Sequence, residues 1–103
     1  MGGSKSYDGE KNREKSFSLT YHVEISKPAL KEMLRLPLVI YKRVEKAINE
    51  LETTPRPVGC KKLKGYSDRY RIRLGNYRIV YIIKDKILYI TIIGISDRKD
   101  AYK

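Results

Sequence analysis

Arginines spaced two residues apart along a predicted β-strand are the feature of this sequence best suited to do chemistry. Between Tyr70 and Tyr81 the chain reads YRIRLGNYRIVY, so Arg71 and Arg73 alternate with apolar residues. Because successive strand residues point to opposite faces, these two guanidinium groups project together, and Arg78 can join them after the Gly-Asn turn. The planar guanidinium matches phosphate geometry. The pattern indicates either a phosphate-binding surface or a solvated outer face of an antiparallel sheet.

Further basic residues flank these arginines. Between residues 61 and 78 the only acid is Asp68. Basic side chains hold a phosphate backbone, and tyrosine rings among them can stack on bases, although we interpret most of these tyrosines as core residues of a sheet. The additional candidates for RNA contact are Lys61, Lys62, Lys64 and Arg69.

Other catalytic and metal-binding groups are scarce. His22 is the only histidine and Cys60 the only cysteine, so we expect no metal centre, no nucleophilic triad and no internal disulfide. No Gly-rich phosphate loop is present, and no cofactor is expected. A single thiol, which we interpret as incidental, is compatible with a reducing cytoplasm, where we place the protein.

The charge of the chain constrains its partners. The 103 residues include 23 Lys and Arg against 12 Asp and Glu, for a net charge of +11. This excess favours nucleic acid, a ribonucleoprotein, an anionic membrane surface or an acidic protein. No apolar run approaches the roughly 18 residues of a transmembrane helix, and the polar N-terminus lacks a signal-peptide core. Any membrane contact would be peripheral, and a membrane partner is not expected.

Hydrophobic periodicity divides the chain into a tail and one domain. Residues 1–18 are polar and aperiodic, which predicts a disordered tail whose first four residues resemble a vector-derived leader. Residues 19–103 form the domain. Strands are predicted at residues 19–25, 70–74, 77–83 and 87–95, and two helices lie between residues 26 and 53, separated at Pro37.

The order strand, helix, helix and three strands predicts an α+β fold. We expect a four-stranded sheet, antiparallel in its last three strands, with the helical pair on one face. The last strand is almost wholly apolar, so it should lie inside the sheet. The helices would cover the face that carries Ile72 and Leu74, leaving Arg71 and Arg73 on an open, concave side.

This ordered set of motifs resembles the RelE/ParE toxin superfamily of prokaryotic toxin–antitoxin modules, and more closely its RelE-type mRNA interferases. The resemblance runs from about Thr20 to Tyr102, and it is carried by LKG at 63–65, YRIRLGNYRIVY at 70–81 and RKDAY at 98–102. It implies a metal-independent, ribosome-dependent endoribonuclease that inhibits translation and growth. The 2′-OH of an mRNA nucleotide would attack its own 3′ phosphate, leaving a 2′,3′-cyclic phosphate and a 5′-OH. The implied partners are the ribosome, mRNA and a RelB-like antitoxin with an acidic or amphipathic segment.

Carried over position by position, the resemblance assigns five catalytic residues. Arg71 and Arg73 match two basic residues on the first hairpin strand, and Arg78 matches the arginine after the hairpin tyrosine. Arg98 matches a C-terminal arginine implied to protonate the leaving oxygen. Tyr102 matches a tyrosine that stacks on the substrate base, although on composition alone it could equally be a frayed terminus.

Two departures from the superfamily's pattern concern the general base. Some relatives have lysine on the first hairpin strand, where this chain has arginine, and a guanidinium with a pKa above about 12 is a poor base. Many relatives have histidine or lysine just before the C-terminal arginine, where this chain has Asp97. Asp97 could be the base, could pair with Arg98 or could weaken activity; an ion pair is our interpretation.

Two other functions stay open on the sequence. A ParE-like toxin would share the fold but inhibit DNA gyrase and cleave no RNA. A non-catalytic RNA- or ribosome-binding module would need only the charge. Tyr102 and the retained arginines favour the interferase.

Overall fold

The structure, a computed structural model, describes residues 20–97. The predicted tail at residues 1–18 and two assigned residues, Arg98 and Tyr102, lie outside that range. The described part of the chain contains two helices and five strands. They are β1 (His22–Ile25), α1 (Lys27–Leu34), α2 (Leu38–Glu50), β2 (Lys61–Lys62), β3 (Arg69–Leu74), β4 (Tyr77–Lys84) and β5 (Tyr89–Asp97).

Local signals define the two helices. The Ser26 hydroxyl oxygen accepts a hydrogen bond from the backbone N–H of Ala29 at 3.3 Å, and Pro28 occupies the first turn of α1, where its missing N–H is not needed. Pro37 separates α1 from α2, because it cannot continue the first helix but can precede the second. The buried side chains of the helices are Ala29 and Met33 in α1 and Val44 and Ile48 in α2.

The strands form one mixed sheet in the order β1-β5-β4-β3-β2. β1 runs parallel to β5, and the other neighbouring pairs are antiparallel. The α+β class is confirmed, and β5 lies between β1 and β4, as its apolar sequence predicts. β1 and β5 are far apart in the chain, so the two helices and three strands between them supply the long connection that a parallel pair requires.

The sheet has one strand more than the four predicted from the sequence. In β2, Lys61 pairs with Arg71 and Lys62 pairs with Tyr70, on the far edge of the sheet. Two adjacent lysines show neither alternation nor apolar content, so no periodicity could indicate this strand.

The connection between β4 and β5 also differs from the prediction of a tight turn directly into the last strand. Residues 85–87 form a 3-10 turn, and Leu88 has a positive φ of 54°. The strand therefore begins at Tyr89, two residues later than its apolar sequence predicts.

A bulge interrupts the alternation of β5. Val80 pairs with Gly94, but the next residue, Tyr81, pairs with Ile92, so Ile93 is an additional residue on β5. Because of this extra residue, Ile92 and Ile95 both lie in the core, although three positions separate them.

α1 is attached to β5 just past this bulge. The Glu32 carboxylate accepts a hydrogen bond from the backbone N–H of Ile95 at 2.7 Å. β1 pairs with β5 only as far as Ile92, so Glu32 satisfies a strand N–H past the end of β1.

The core lies between the helices and one face of the sheet. Ile72 is buried there and Leu74 packs against it, which confirms the predicted helix-covered face. Tyr81 is fully buried and donates a hydrogen bond to the Pro55 carbonyl oxygen at 2.9 Å, and burial raises the pKa of its phenol. The other buried sheet residues are Ile79, Ile83, Ile90, Ile92 and Ile95.

An ion pair secures the connection after α2 to the end of the sheet. Two guanidinium nitrogens of Arg56 donate to the two carboxylate oxygens of Asp85 at 3.2 and 2.8 Å. The Tyr21 hydroxyl donates to the same carboxylate at 2.7 Å. The guanidinium of Arg56, followed by the Tyr21 hydroxyl, lowers the pKa of Asp85.

No helix within residues 20–97 is both long and apolar enough to cross a bilayer.

We expect Asp85→Asn to lower the free energy of unfolding by about 1 kcal/mol at neutral pH, since the ion pair is about half exposed. The lowered pKa of Asp85 means that the pair stabilises the fold above the ordinary carboxyl value of 3.8 and that this contribution is lost as the pH falls below it. Urea unfolding at pH 7 and pH 3 measures both effects, with Glu45→Gln on α2 as the matched control. A difference of equal size at the two pH values would contradict this assignment.

Candidate nucleic-acid interface

The register of the hairpin β3–β4 brings three predicted site residues onto one face of the sheet. Arg73 pairs directly with Arg78, and Arg71 lies two residues before Arg73 on the same strand. Lys61 pairs with Arg71 from the edge strand. Residues that are paired in an antiparallel ladder share a face, so these four cations lie together on the side away from the helices. We call this side the arginine face.

Burial differs among these cations. Arg73 is exposed, whereas Arg71 and Arg78 are half-buried. The Nε atom of Arg78 is inaccessible to water, and it has no hydrogen-bond partner within residues 20–97. A buried N–H without an acceptor costs about 1–3 kcal/mol, so a small movement of the Arg78 side chain that brings Nε against an anionic oxygen would be favourable. Arg78 is therefore a candidate anion-binding group on this face.

Small side chains leave room beside Arg78. Ser96 pairs with Arg78, and Gly94 pairs with Val80. A methyl group placed on Gly94 would meet no atom within 4 Å. The space above Gly94 and Ser96 would let a sugar–phosphate backbone approach the arginines closely.

The one acid in the basic segment is already paired. The Lys84 ammonium donates to the Asp68 carboxylate, and this hydrogen bond lowers the pKa of Asp68. No group of three or more His, Cys, Asp and Glu residues that could hold a metal occurs among the residues described. The charged groups that the described residues bring to the arginine face are guanidinium and ammonium groups.

An open sheet face lined with arginine would suit many nucleic-acid-binding proteins, and comparison with known proteins narrows the choice. The family model described as the ParE toxin of the type II toxin–antitoxin system parDE matches residues 23–102. The chain belongs to the RelE/ParE toxin superfamily.

Relatives and solved structures of RelE proteins agree with this membership. A RelE1 protein of Methanocaldococcus jannaschii is 37% identical over 90 residues, which cover 82% of this chain and 98% of the relative. The mRNA interferase toxin RelE of Escherichia coli K12 is 28% identical, with 82% and 92% coverage. The archaeal RelE–RelB complex from Pyrococcus horikoshii has a TM-score of 0.69 at 36% identity, covering 77% of this chain and 96% of that one. The resemblance inferred from the motifs is confirmed.

Not all of the assigned residues of this RelE/ParE toxin meet on the arginine face. Lys62 pairs with Tyr70, which places it on the helix side of the sheet, and Lys64 lies in the loop after β2. Arg69 begins β3 at the far end of the arginine face, where its guanidinium carbon lies 4.3 Å from the ring centre of Tyr66. The sequence draws attention to this basic segment but does not show that Tyr66 and Arg69 contact each other.

Asp97 lies on the other side of the sheet from the arginines. It pairs with Tyr77, whereas Ser96 pairs with Arg78. It also lines a cavity of about 380 Å³ beside the end of α1, together with Glu32 and Arg35. A carboxylate in that position is poorly placed to take a proton from a substrate bound among the arginines. The ion pair with Arg98 stays a prediction, because Arg98 is outside the described residues.

Proposed function

We propose that this toxin is a ribosome-dependent endoribonuclease that cleaves translated mRNA and needs no metal ion. The observation that carries the proposal is the direct pairing of Arg73 with Arg78 on the sheet face opposite the helices, where the Nε atom of Arg78 has no acceptor among residues 20–97. The name of the E. coli relative, an mRNA interferase, supports the same reaction.

The reaction needs charge stabilisation more than covalent chemistry from the protein. The 2′ oxygen forms a bond to the adjacent phosphorus and the bond from phosphorus to the 5′ oxygen breaks, giving a 2′,3′-cyclic phosphate and a 5′-OH. Negative charge grows on the non-bridging phosphate oxygens, and donors fixed in advance stabilise it. We assign that role to Arg73 and Arg78, with Arg71 beside them.

Two proton transfers complete the reaction. We assign protonation of the leaving 5′ oxygen to Arg98 and stacking on the substrate base to Tyr102, as the resemblance implies. A guanidinium group is a poor base and Asp97 faces the helix side, so neither the hairpin arginines nor Asp97 is assigned as the base. The proton of the 2′-OH goes to water or to a group of the ribosome–mRNA complex.

Primer extension on a translated mRNA after brief induction tests the proposal. Cuts in register with codons support an interferase, and their absence overturns it. The family model is named for ParE, which favours a gyrase inhibitor as the second candidate. That function would leave mRNA intact and produce double-strand breaks in DNA.

We also propose that a RelB-like antitoxin with an acidic, amphipathic segment neutralises this toxin. Support comes from the net charge of +11 and from solved RelE–RelB complexes of P. horikoshii and E. coli. Apolar side chains on the helical pair are available to such a segment, since Leu34 and Leu38 are 66% and 67% exposed. Leu30 and Val39 on the same two helices are also exposed.

Replacing Leu34 by Glu should weaken antitoxin binding about tenfold or more, because an apolar contact is lost and a carboxylate meets an acidic partner. Cleavage should not change, since the helical pair lies across the sheet from the arginine face. Isothermal titration with the product of the neighbouring open reading frame measures the affinity, and Lys42→Ala on α2 is the control. Equal affinities of Leu34→Glu and the parent would exclude this surface. Failure of the neighbouring product to bind the parent would count against the antitoxin proposal itself.

A further inference from the structure

We propose that Tyr66 and Arg69 form a stacking platform for an unpaired base of the mRNA, at a position flanking the phosphate that is cleaved. This inference rests on the proposed function, because it names a second contact to the same RNA strand. It concerns how the strand is held and not how the phosphate reacts.

The loop between β2 and β3 presents Tyr66 in a defined position. The backbone N–H of Leu63 donates to the Arg69 carbonyl oxygen at 2.8 Å, and that of Tyr66 donates to the Leu63 carbonyl oxygen at 3.3 Å. Gly65 supplies the positive φ of 88° that this turn requires. A loop tied at both ends loses little further entropy when its aromatic ring engages a ligand.

The ring of Tyr66 is not part of the core. It is 49% exposed, whereas Tyr70 and Tyr81 on the neighbouring strands pack against or within the core. Arg69 covers one side of the ring, with its guanidinium carbon 4.3 Å from the ring centre. A guanidinium stacked on tyrosine is a planar, cationic surface, and both of its components stack favourably on nucleobases.

The platform lies on a continuous basic path to the proposed cleavage site. Arg69, Arg71 and Arg73 alternate along β3, so their side chains share the arginine face. At about 3.3 Å per strand residue, Arg69 lies roughly 13 Å from Arg73. This distance is bridged by a short run of extended single-stranded RNA, whose phosphates would pass Arg71 and Lys61. The neighbouring carboxylate of Asp68 accepts a hydrogen bond from Lys84, so it is already paired.

Single-turnover cleavage of mRNA on programmed ribosomes tests the platform. For Tyr66→Ala we expect the half-saturating concentration to rise about tenfold while the rate at saturation is unchanged, because stacking holds the strand without contacting the reacting atoms. Tyr66→Phe should behave as the parent, since the ring is kept. Tyr66→Leu should resemble Tyr66→Ala, which separates stacking from simple apolar bulk and provides a second variant if the alanine protein folds poorly. Val58→Ala, in the loop after α2, is the control for loss of an exposed apolar side chain.

Templates with an abasic nucleotide identify the RNA strand. If the base belongs to the mRNA, an abasic nucleotide at one flanking position weakens the parent about as much as Tyr66→Ala does, and combining the two changes gives no further loss. An unchanged Tyr66→Ala effect on every abasic template would mean that ribosomal RNA is bound instead, and it would overturn the proposal. Parental behaviour of Tyr66→Ala would overturn it as well. Absence of cleavage by the parent protein would instead remove the proposed function, and the platform with it.

Discussion

Arg73→Ala and Arg78→Ala are each expected to slow mRNA cleavage about 10²- to 10³-fold and to abolish growth inhibition, as loss of one preorganised donor to a developing oxyanion typically does. The two residues are paired across β3 and β4 on the face opposite the helices, so both can reach one phosphate. Arg78 should be the more sensitive of the two, because its half-buried side chain is held more firmly than the exposed side chain of Arg73.

The fold should survive both substitutions, because the core lies on the other face of the sheet. Single-turnover rates on programmed ribosomes measure the loss, and thermal unfolding confirms that the variants are folded. Lys42→Ala, which removes one exposed positive charge from α2, controls for the change in net charge. A folded Arg73→Ala or Arg78→Ala protein that cleaves at the parental rate would contradict the catalytic role assigned to that arginine.

Tyr102→Ala is expected to lose about ten- to a hundredfold in cleavage, which corresponds to about 1–3 kcal/mol of stacking on a base. Tyr102→Phe should keep most of the activity, because the ring face survives. An unperturbed phenol with a pKa near 10 is mostly protonated at neutral pH, so we assign stacking rather than proton transfer to this residue.

The same ribosome assay separates these roles of Tyr102. Equal and severe losses for Phe and Ala would refute stacking and point to the hydroxyl group. No loss for either variant would remove Tyr102 from the site. The outcome matters more here than in a relative with lysine on the hairpin strand, because no described residue on the arginine face is a ready base.

Strict alternation made the arginine face predictable from the sequence. Arg71 and Arg73 sit between apolar residues on a regular strand, and a two-residue Gly-Asn turn fixes the register that sets Arg73 against Arg78. The two helices were predictable from the sequence for a similar reason, since their end signals and apolar stripes are local.

Other features depend on contacts that no local pattern encodes. The strand Lys61–Lys62 exists because it pairs with β3, and the cation–π contact of Arg69 with Tyr66 depends on the loop that joins them. The ion pair of Arg56 with Asp85 joins residues 29 positions apart. Such pairings are settled by tertiary packing, which sequence periodicity does not report.

The bulge at Ile93 determines which face of the sheet carries the carboxylate of Asp97. The extra residue exchanges the faces of the residues that follow it in β5. With uninterrupted alternation, Asp97 would share the face of Arg78 and Ser96 would turn toward α1, the reverse of the observed arrangement. Removing Ile93 would abolish the bulge yet leave both residues where they are, whereas adding one residue between Gly94 and Asp97 would bring the carboxylate to the arginine face. Whether a negative charge lies beside the arginines of this toxin is therefore set by the number of residues in β5 as much as by their identity.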